Sequence, residues 1–289
     1  MLDHPKQKSY FKTMNRLTTE KRAQIIGCLV EGNSIRATVR MTGAAKNTVV
    51  KLLVDLGQAC AEYQNEHLVN LNCKRIQVDE IWAYCYAKQK NVPEDKRGLF
   101  GYGDIWTWVA IDADTKMVPS YLVGTRDAGA ATVFLADLHS RLAPGARIQL
   151  TSDGHAPYIS AVETTFGADV DFAQLVKLYG SDPEGQKRYS PAKCLGTSKT
   201  VINGNPDPRK ISTSFSERQN LTMRMGMRRF TRLTNGFSKK WENLAASVSL
   251  HFMHYNFARI HRTLRVTPAM EAGISGHVWD LVEIAALLD

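Results

Sequence analysis

The apolar positions change their period twice along the chain. From Thr19 to about Gln58 they recur at helical spacing: Ile25, Ile26, Leu29 and Val30, then Ile35 and Val39, then Val49, Val50, Leu52, Leu53 and Leu56. Three short helices are predicted. They break at Glu31-Gly32-Asn33, where Ser34 is placed to cap the second, and at Thr42-Gly43, where glycine permits a sharp bend. Two short helices joined by a tight Gly-containing turn form a helix-turn-helix pattern, with its second member starting near Ala44.

After a connecting segment from about Ala59 to Asn72 the pattern becomes that of strands. RIQVDEIWAYCYA at 75–87, IWTWVAI at 105–111 and MVPSYLV at 117–123 are rich in β-branched and aromatic residues and are separated by Gly, Asp and Pro. A helical run from Thr132 to Leu142, a strand at 147–151, a helix from Tyr158 to Phe166 and a short strand around Val170 to Leu175 follow. The order β-β-β-α-β-α predicts an α/β fold with a mixed sheet and flanking helices, the order of the ribonuclease-H-like fold, preceded by an all-α domain. From Gly180 to Ser214 the composition turns to Gly, Pro, Ser, Asn, Lys and Arg, so an irregular insertion is expected there. Helical periodicity returns at Leu221 to Arg232 and Trp241 to Ile260. The expected organisation is a recognition domain and linker over 1–72, a catalytic domain over 73–270 and a tail over 271–289.

Charge adds a partner to this picture. With 37 Lys and Arg against 28 Asp and Glu, the net charge is +9, and a protein this basic usually meets a polyanion. Nearly all of the excess lies between Glu217 and Arg265, where ten basic residues face only Glu217 and Glu242. The start of the third helix carries Lys46, Asn47, Thr48 and Lys51, residue types that touch bases and phosphates in the major groove, and Arg36 and Arg40 on the preceding helix are placed to hold the backbone. Arg224, Arg228, Arg229 and Arg232 are expected to line a DNA path farther along. The apolar runs fall far short of the ~20 residues of a bilayer crossing, and the N-terminus has no apolar core of a secretory signal. A cytoplasmic, nucleoid-associated protein is expected. The five cysteines include no C-x-x-C pair, which argues against a disulfide framework and a zinc ribbon.

Three carboxylates occupy special places. Asp79 sits inside the first strand in VDEIW, Asp153 ends the fourth in QLTSDG, and Glu217 opens a basic helix in FSERQNLTMR. An Asp inside a strand is expensive to bury without partners, and a divalent cation with hard oxygen ligands, Mg²⁺ or Mn²⁺, would supply one. Glu80 should point to the opposite face of its strand as a structural partner. Asp112 and Asp114 read as turn residues. His155 reads as structural, with orientation of water or phosphate as its other role. Asn220 and Arg224 share the helix face of Glu217. Trp106, Trp108 and Trp241 read as core rather than as stacking platforms.

The segments VDEIWAYCYAKQKN, GDIWTWVAIDADTKMVPSYLVG, LTSDGHAPY and SERQNLTMRMGMRRFTRLTNGFSKKWEN resemble the DDE transposases of the insertion-element-one family, over roughly residues 20–270. The resemblance implies a ribonuclease-H-like catalytic domain with Asp79 and Asp153 as its aspartates and Glu217 as its glutamate, all three serving as catalytic and metal-holding groups. It implies double-stranded DNA as partner, both the ends of the element and the target, and a chain that acts as a homo-oligomer on DNA. Members of the family often carry a cysteine-rich zinc finger before the helix-turn-helix. No Cys pair at ligand spacing stands here, so zinc is not carried over. Two other functions share the same features: a DNA-binding regulator with an inactive nuclease-like domain, and a structure-selective nuclease.

Overall fold

The computed structural model describes residues 16–180, 194–231 and 234–289. Three helices come first: α1 (Thr19–Val30), α2 (Ile35–Thr42) and α3 (Lys46–His67). Ser34 caps α2 as its sequence predicts, its Oγ accepting the Ala37 N–H at 3.1 Å. Gly43 ends α2 with φ +70°, a left-handed conformation that glycine adopts without steric cost, and the chain turns directly into α3. Ile25, Ala44, Val49 and Leu52 form a small core for this module.

The third helix is longer than its local pattern suggests. It runs 22 residues, through most of the segment expected to be a connection. Leu53 and Leu56 at its middle and Cys60 and Tyr63 in its second half pack in the main core together with Ala246 and Leu250. Those two partners lie almost two hundred residues away, which is why the local sequence understates the helix beyond Gln58.

Strands β1 (Arg75–Cys85), β2 (Gly103–Asp112) and β3 (Ser120–Gly124) form an antiparallel meander. Helix α4 (Ala128–Arg141) leads to β4 (Ile148–Ser152), which lies parallel to β1 on its other side. Helix α5 (Pro157–Phe166) leads to β5 (Val170–Tyr179), parallel to β4. The sheet order is β3-β2-β1-β4-β5-β6, a six-stranded mixed sheet with helices on both faces, so the ribonuclease-H-like arrangement read from the element order is the one formed.

The sixth strand departs from the expectation of an irregular insertion. β6 (Cys194–Asn203) pairs antiparallel with β5 along the sheet edge. Its residues are nearly all exposed, so it carries no apolar alternation and its composition reads as loop; backbone pairing, not burial, makes it a strand. The rest of the expected insertion divides into 181–193, outside the described residues, and an irregular stretch leading into α6 (Ser214–Gly226).

Helix α7 (Trp241–Met253) crosses the sheet face that carries Ile81, Ala83, Val109 and Ile111, packing Val248 and Phe252 there with Met223 of α6. The other face is covered by α4 and α5 through Phe134, Leu138, Tyr158 and Val162. After α8 (Pro268–Glu271), the segment expected as a tail contains α9 (Leu281–Ala286), which buries Ile284 and Ala285 and packs on α1. Arg22 of α1 donates to the Ala285 carbonyl at 3.0 Å and pairs with Asp289 at 2.8 Å. Among the described residues no helix is long and apolar enough to cross a membrane.

Candidate active site

Alternation along β1 divides its polar residues between two layers. Gln77 and Asp79 face α6. The Gln77 Oε1 accepts the N–H groups of Phe215 and Ser216 at 2.8 and 3.2 Å, satisfying two donors that the first turn of α6 leaves without intrahelical partners. One turn farther on, Asn220 donates from Nδ2 to Asp79 Oδ2 at 2.8 Å. Two side chains of one strand therefore fix the height and rotation of the helix that carries Glu217.

Glu80 faces the opposite layer, as alternation predicts. Its side chain is 1% exposed; Oε1 pairs with Arg126 at 2.7 Å and Oε2 accepts the Tyr158 hydroxyl at 3.0 Å. Arg126 in turn lies 4.4 Å over the Trp106 ring. Trp108 is core, fully buried, and its indole N–H donates to the Thr125 carbonyl at 2.9 Å. Trp241 packs against Phe100.

Asp153 stands just beyond the end of β4. Its Oδ1 accepts the His155 N–H at 3.0 Å, a local turn that holds the carboxylate at the strand mouth, and Pro157 then starts α5. From β5, Gln174 donates to the Asp153 carbonyl at 2.9 Å and to the His155 carbonyl at 3.2 Å, tying this loop to the sheet. The His155 ring rests against Trp108 and Tyr158, with Nε2 3.8 Å from Glu80 Oε1.

Asp79, Glu80 and Asp153 converge, each offering one carboxylate oxygen within 4.8 Å of the others. Burial above all, then the negative charges of Asp153 and Glu80, pushes Asp79 up to about 7. Glu217 walls the same cleft, a hollow of about 850 Å³, without joining that cluster. Its Oε2 is held by the Lys177 ammonium at 2.5 Å and its Oε1 accepts the Thr213 hydroxyl at 2.7 Å. Arg126, Lys177 and Arg224 line the cleft beside the carboxylates.

The donor set suits a hard divalent cation. Oxygen ligands of net negative charge gather at one point, and the buried Asn220 Oδ1 beside them has no hydrogen-bond partner among the described residues. Asp112 and Asp114 lie elsewhere: Asp112 accepts from Thr115 in the β2–β3 turn, and Asp114 pairs with Arg75.

Of the residues expected to touch DNA, Arg36, Arg40, Lys46, Asn47 and Lys51 are exposed and Thr48 is partly so. Lys51 pairs with Asp55 along α3 at 2.5 Å. Arg228 is exposed, but Arg229 is turned inward: it donates to Ser238 Oγ at 2.7 Å and Ser247 Oγ at 3.1 Å, and burial pulls it down to about 10. Arg232 lies outside the described residues. Sequence reasoning did not single out Gln77, Gln174 or Lys177. The signal for Gln174 and Lys177 was a polar residue recurring inside the apolar run of β5, AQLVK, at positions that interrupt it.

No family model matches the chain, and no curated protein does. Among solved structures it is similar to a Mos1 transposase paired-end complex with the left transposon end, at 11% identity over 57% of this chain and 64% of that one, with a TM-score of 0.21. It is similar also to a Mos1 mariner paired-end complex with Mn, at 10% identity over 88% of this chain and 78% of that one and a TM-score of 0.27. For the Mos1 strand transfer complex the figures are 10%, 86%, 83% and 0.25. The chain spans 64% of the length of the first of these proteins.

Proposed function

We propose that the protein is a metal-dependent DNA transposase of the insertion-element-one kind, which binds the terminal repeats of its element, cuts there and joins the freed ends to target DNA. The observation that carries this reading is the convergence of Asp79 and Asp153 from adjacent parallel strands, beside the helix of Glu217 and within a cleft walled by Lys177 and Arg224. Acidic ligands inside a basic surround are what phosphodiester chemistry requires: cations to hold the strand and carboxylates to hold metal.

Asp79, Asp153 and Glu217 would hold Mg²⁺ or Mn²⁺. The chemistry such an ion would supply is activation of an attacking hydroxyl and stabilisation of the departing oxygen. The chain's own residues prepare the place. Asn220 orients the Asp79 carboxylate and Gln77 holds α6 against β1. The Asp153 turn is kept at the strand mouth by Gln174. Lys177 and Arg224 offer positive charge to the strand, and Arg126, engaged with Glu80, closes the cleft on the α5 side.

In this reading residues 1–72 recognise DNA through a helix-turn-helix, with Lys46, Asn47, Thr48 and Lys51 meeting the groove and Arg36 and Arg40 the backbone. Residues 73–270 carry the chemistry as a homo-oligomer on DNA. Arg224 and Arg228 contact the strand; Arg229 serves as a strut.

The test is cleavage and joining of candidate element ends with Mg²⁺. Asp153→Asn and Glu217→Gln proteins should bind those ends as the parent does and cut them several orders of magnitude more slowly. Cutting at the parent rate by either one contradicts the three-carboxylate mechanism.

A further inference from the structure

Helix α6 has two chemically distinct sides. Glu217, Asn220 and Arg224 look onto the acidic cleft, whereas Arg218 and Gln219 wall a separate hollow of about 380 Å³. Lys116 of the β2–β3 turn and Arg259, His261 and Arg262, from the segment after α7, complete its rim. Among the described residues no carboxylate lines it; Asp112, Asp114 and Glu271 are the acids that act on Lys116 from outside.

Two independent features point to an anionic ligand. Gln219 is 2% exposed, and its Nε2 amide has no hydrogen-bond partner among the described residues. A buried donor left in this state is costly, and a ligand oxygen would satisfy it. The second feature is the crowding of like charge. His261 is pushed below its ordinary value by burial and then by Lys116, Arg259 and Arg218, so three cations of the rim crowd this one imidazole. Beneath them the floor is apolar, formed by Ile111, Phe215 and Tyr255, with the Lys116 ammonium 3.7 Å over the Phe215 ring.

We propose that this hollow is a phosphodiester site for a second stretch of DNA, held on the side of α6 opposite the acidic cleft. The cations and the Gln219 amide take the phosphate, and the apolar floor takes the face of a deoxyribose, which inorganic phosphate lacks. The identification of the anion as DNA rests on the transposase reading; the anion site itself does not. One helix would then stand between this stretch of DNA and the acidic cleft, so the site would hold the duplex at a distance from the reacting phosphate rather than present that phosphate to the carboxylates.

The experiment is a titration of the full chain with a duplex over a range of salt, without divalent metal. Replacing both Arg259 and Arg262 by Gln, at exposed positions that should not disturb folding, should lower the magnitude of the log affinity against log salt slope by about 0.9 to 1.8. Gln219→Leu, which replaces the unpartnered amide with an apolar group of similar size, should leave thermal stability unchanged or raised while weakening DNA severalfold. Inorganic phosphate and deoxyadenosine monophosphate serve as separate ligands in thermal-shift assays. If either stabilises the parent but not the double variant while the DNA slope stays unchanged, the ligand is a free anion and the DNA assignment is overturned. An unchanged slope with no response to either ligand overturns the site altogether. Cleavage is scored separately: a parent that shows the slope change but never cuts or joins DNA refutes the transposase reading and leaves this site standing, whereas a protein that cuts with no slope change does the reverse.

Discussion

Asn220 donates to Asp79 at 2.8 Å, so the helix bearing Glu217 is fastened to the middle of β1 through a carboxylate whose proton affinity is raised by burial. The bond has a consequence for stability. Asp79 is pushed from an ordinary 3.8 up to about 7, first by desolvation, then by Asp153 and Glu80. A raised folded-state value means the folded protein favours the protonated acid. The associated stability is present below about pH 4 and lost as pH rises through about 7.

An Asp79→Asn protein should therefore be more stable than its parent at pH 8 in chelator, by about 2–4 kcal/mol, with the difference vanishing toward pH 4. The new amide keeps the Glu80 N–H as donor to its oxygen, and the unpartnered Asn220 oxygen can accept from its nitrogen if Asn220 flips. Metal-dependent cutting should be lost in the same protein. Denaturant unfolding at the two pH values measures the first effect; equal stabilities at pH 8 would mean that burial does not penalise the Asp79 charge.

Much of this site is written in local sequence. The alternation of β1 places Gln77 and Asp79 on one face and Glu80 on the other, and a two-residue period needs no knowledge of the fold. What the local pattern lacks is everything set by a distant partner. The second half of α3 is helical because Ala246 and Leu250 lie against it. The edge strand β6 is exposed along its length and shows no alternation, so nothing in its composition distinguishes it from loop. Arg229 stands among exposed basic residues in sequence, yet Ser238 and Ser247 turn it inward. The hold of Lys177 on Glu217 joins residues 40 positions apart on an edge-side strand and a helix, a pairing that neither segment announces.

Asn47 is exposed in the first turn of α3, and reading a base is the role proposed for it. Asn47→Ala should reduce discrimination between element ends and random duplex by about 1–3 kcal/mol and leave non-specific affinity nearly unchanged. Competition titrations at one fixed salt concentration measure both. Equal losses on the two DNAs would reassign Asn47 to the backbone.

Helices α3 and α7 meet tightly at Gly57, where an added Cβ would lie 2.5 Å from the backbone and Cβ of Ala246. In an open helix Gly→Ala gains roughly 1 kcal/mol of propensity. Here neither helix can yield without moving its neighbours, so Gly57→Ala should destabilise, by roughly 1–3 kcal/mol as overpacked cores do. A raised melting temperature would show that the two helices separate at little cost. DNA binding by the N-terminal module should survive the substitution better than cutting, because the clash lies on the sheet-side half of α3.

His251 is buried on α7, against the tip of α6 at Gly226, and among the described residues neither ring nitrogen has a hydrogen-bond partner. Burial, then His254 and Arg259, holds it down to about 3 from an ordinary 6.5. A depressed folded-state value means that the unfolded chain takes up the proton first. The stability is therefore complete above about pH 6.5 and is lost as pH falls toward about 3, at about 1.4 kcal/mol per unit across that window. His251→Leu removes the titration and the two orphan nitrogens while keeping a side chain of similar bulk. At pH 7.5 the variant should already be somewhat more stable, since the two unpartnered nitrogens are gone. Between pH 7.5 and pH 4.5 its advantage should widen by about 2–3 kcal/mol, as the parent loses two units of the window. Parallel acid-unfolding curves for parent and variant would mean that His251 takes up its proton in the folded state, and so has a path to water that its surroundings do not offer.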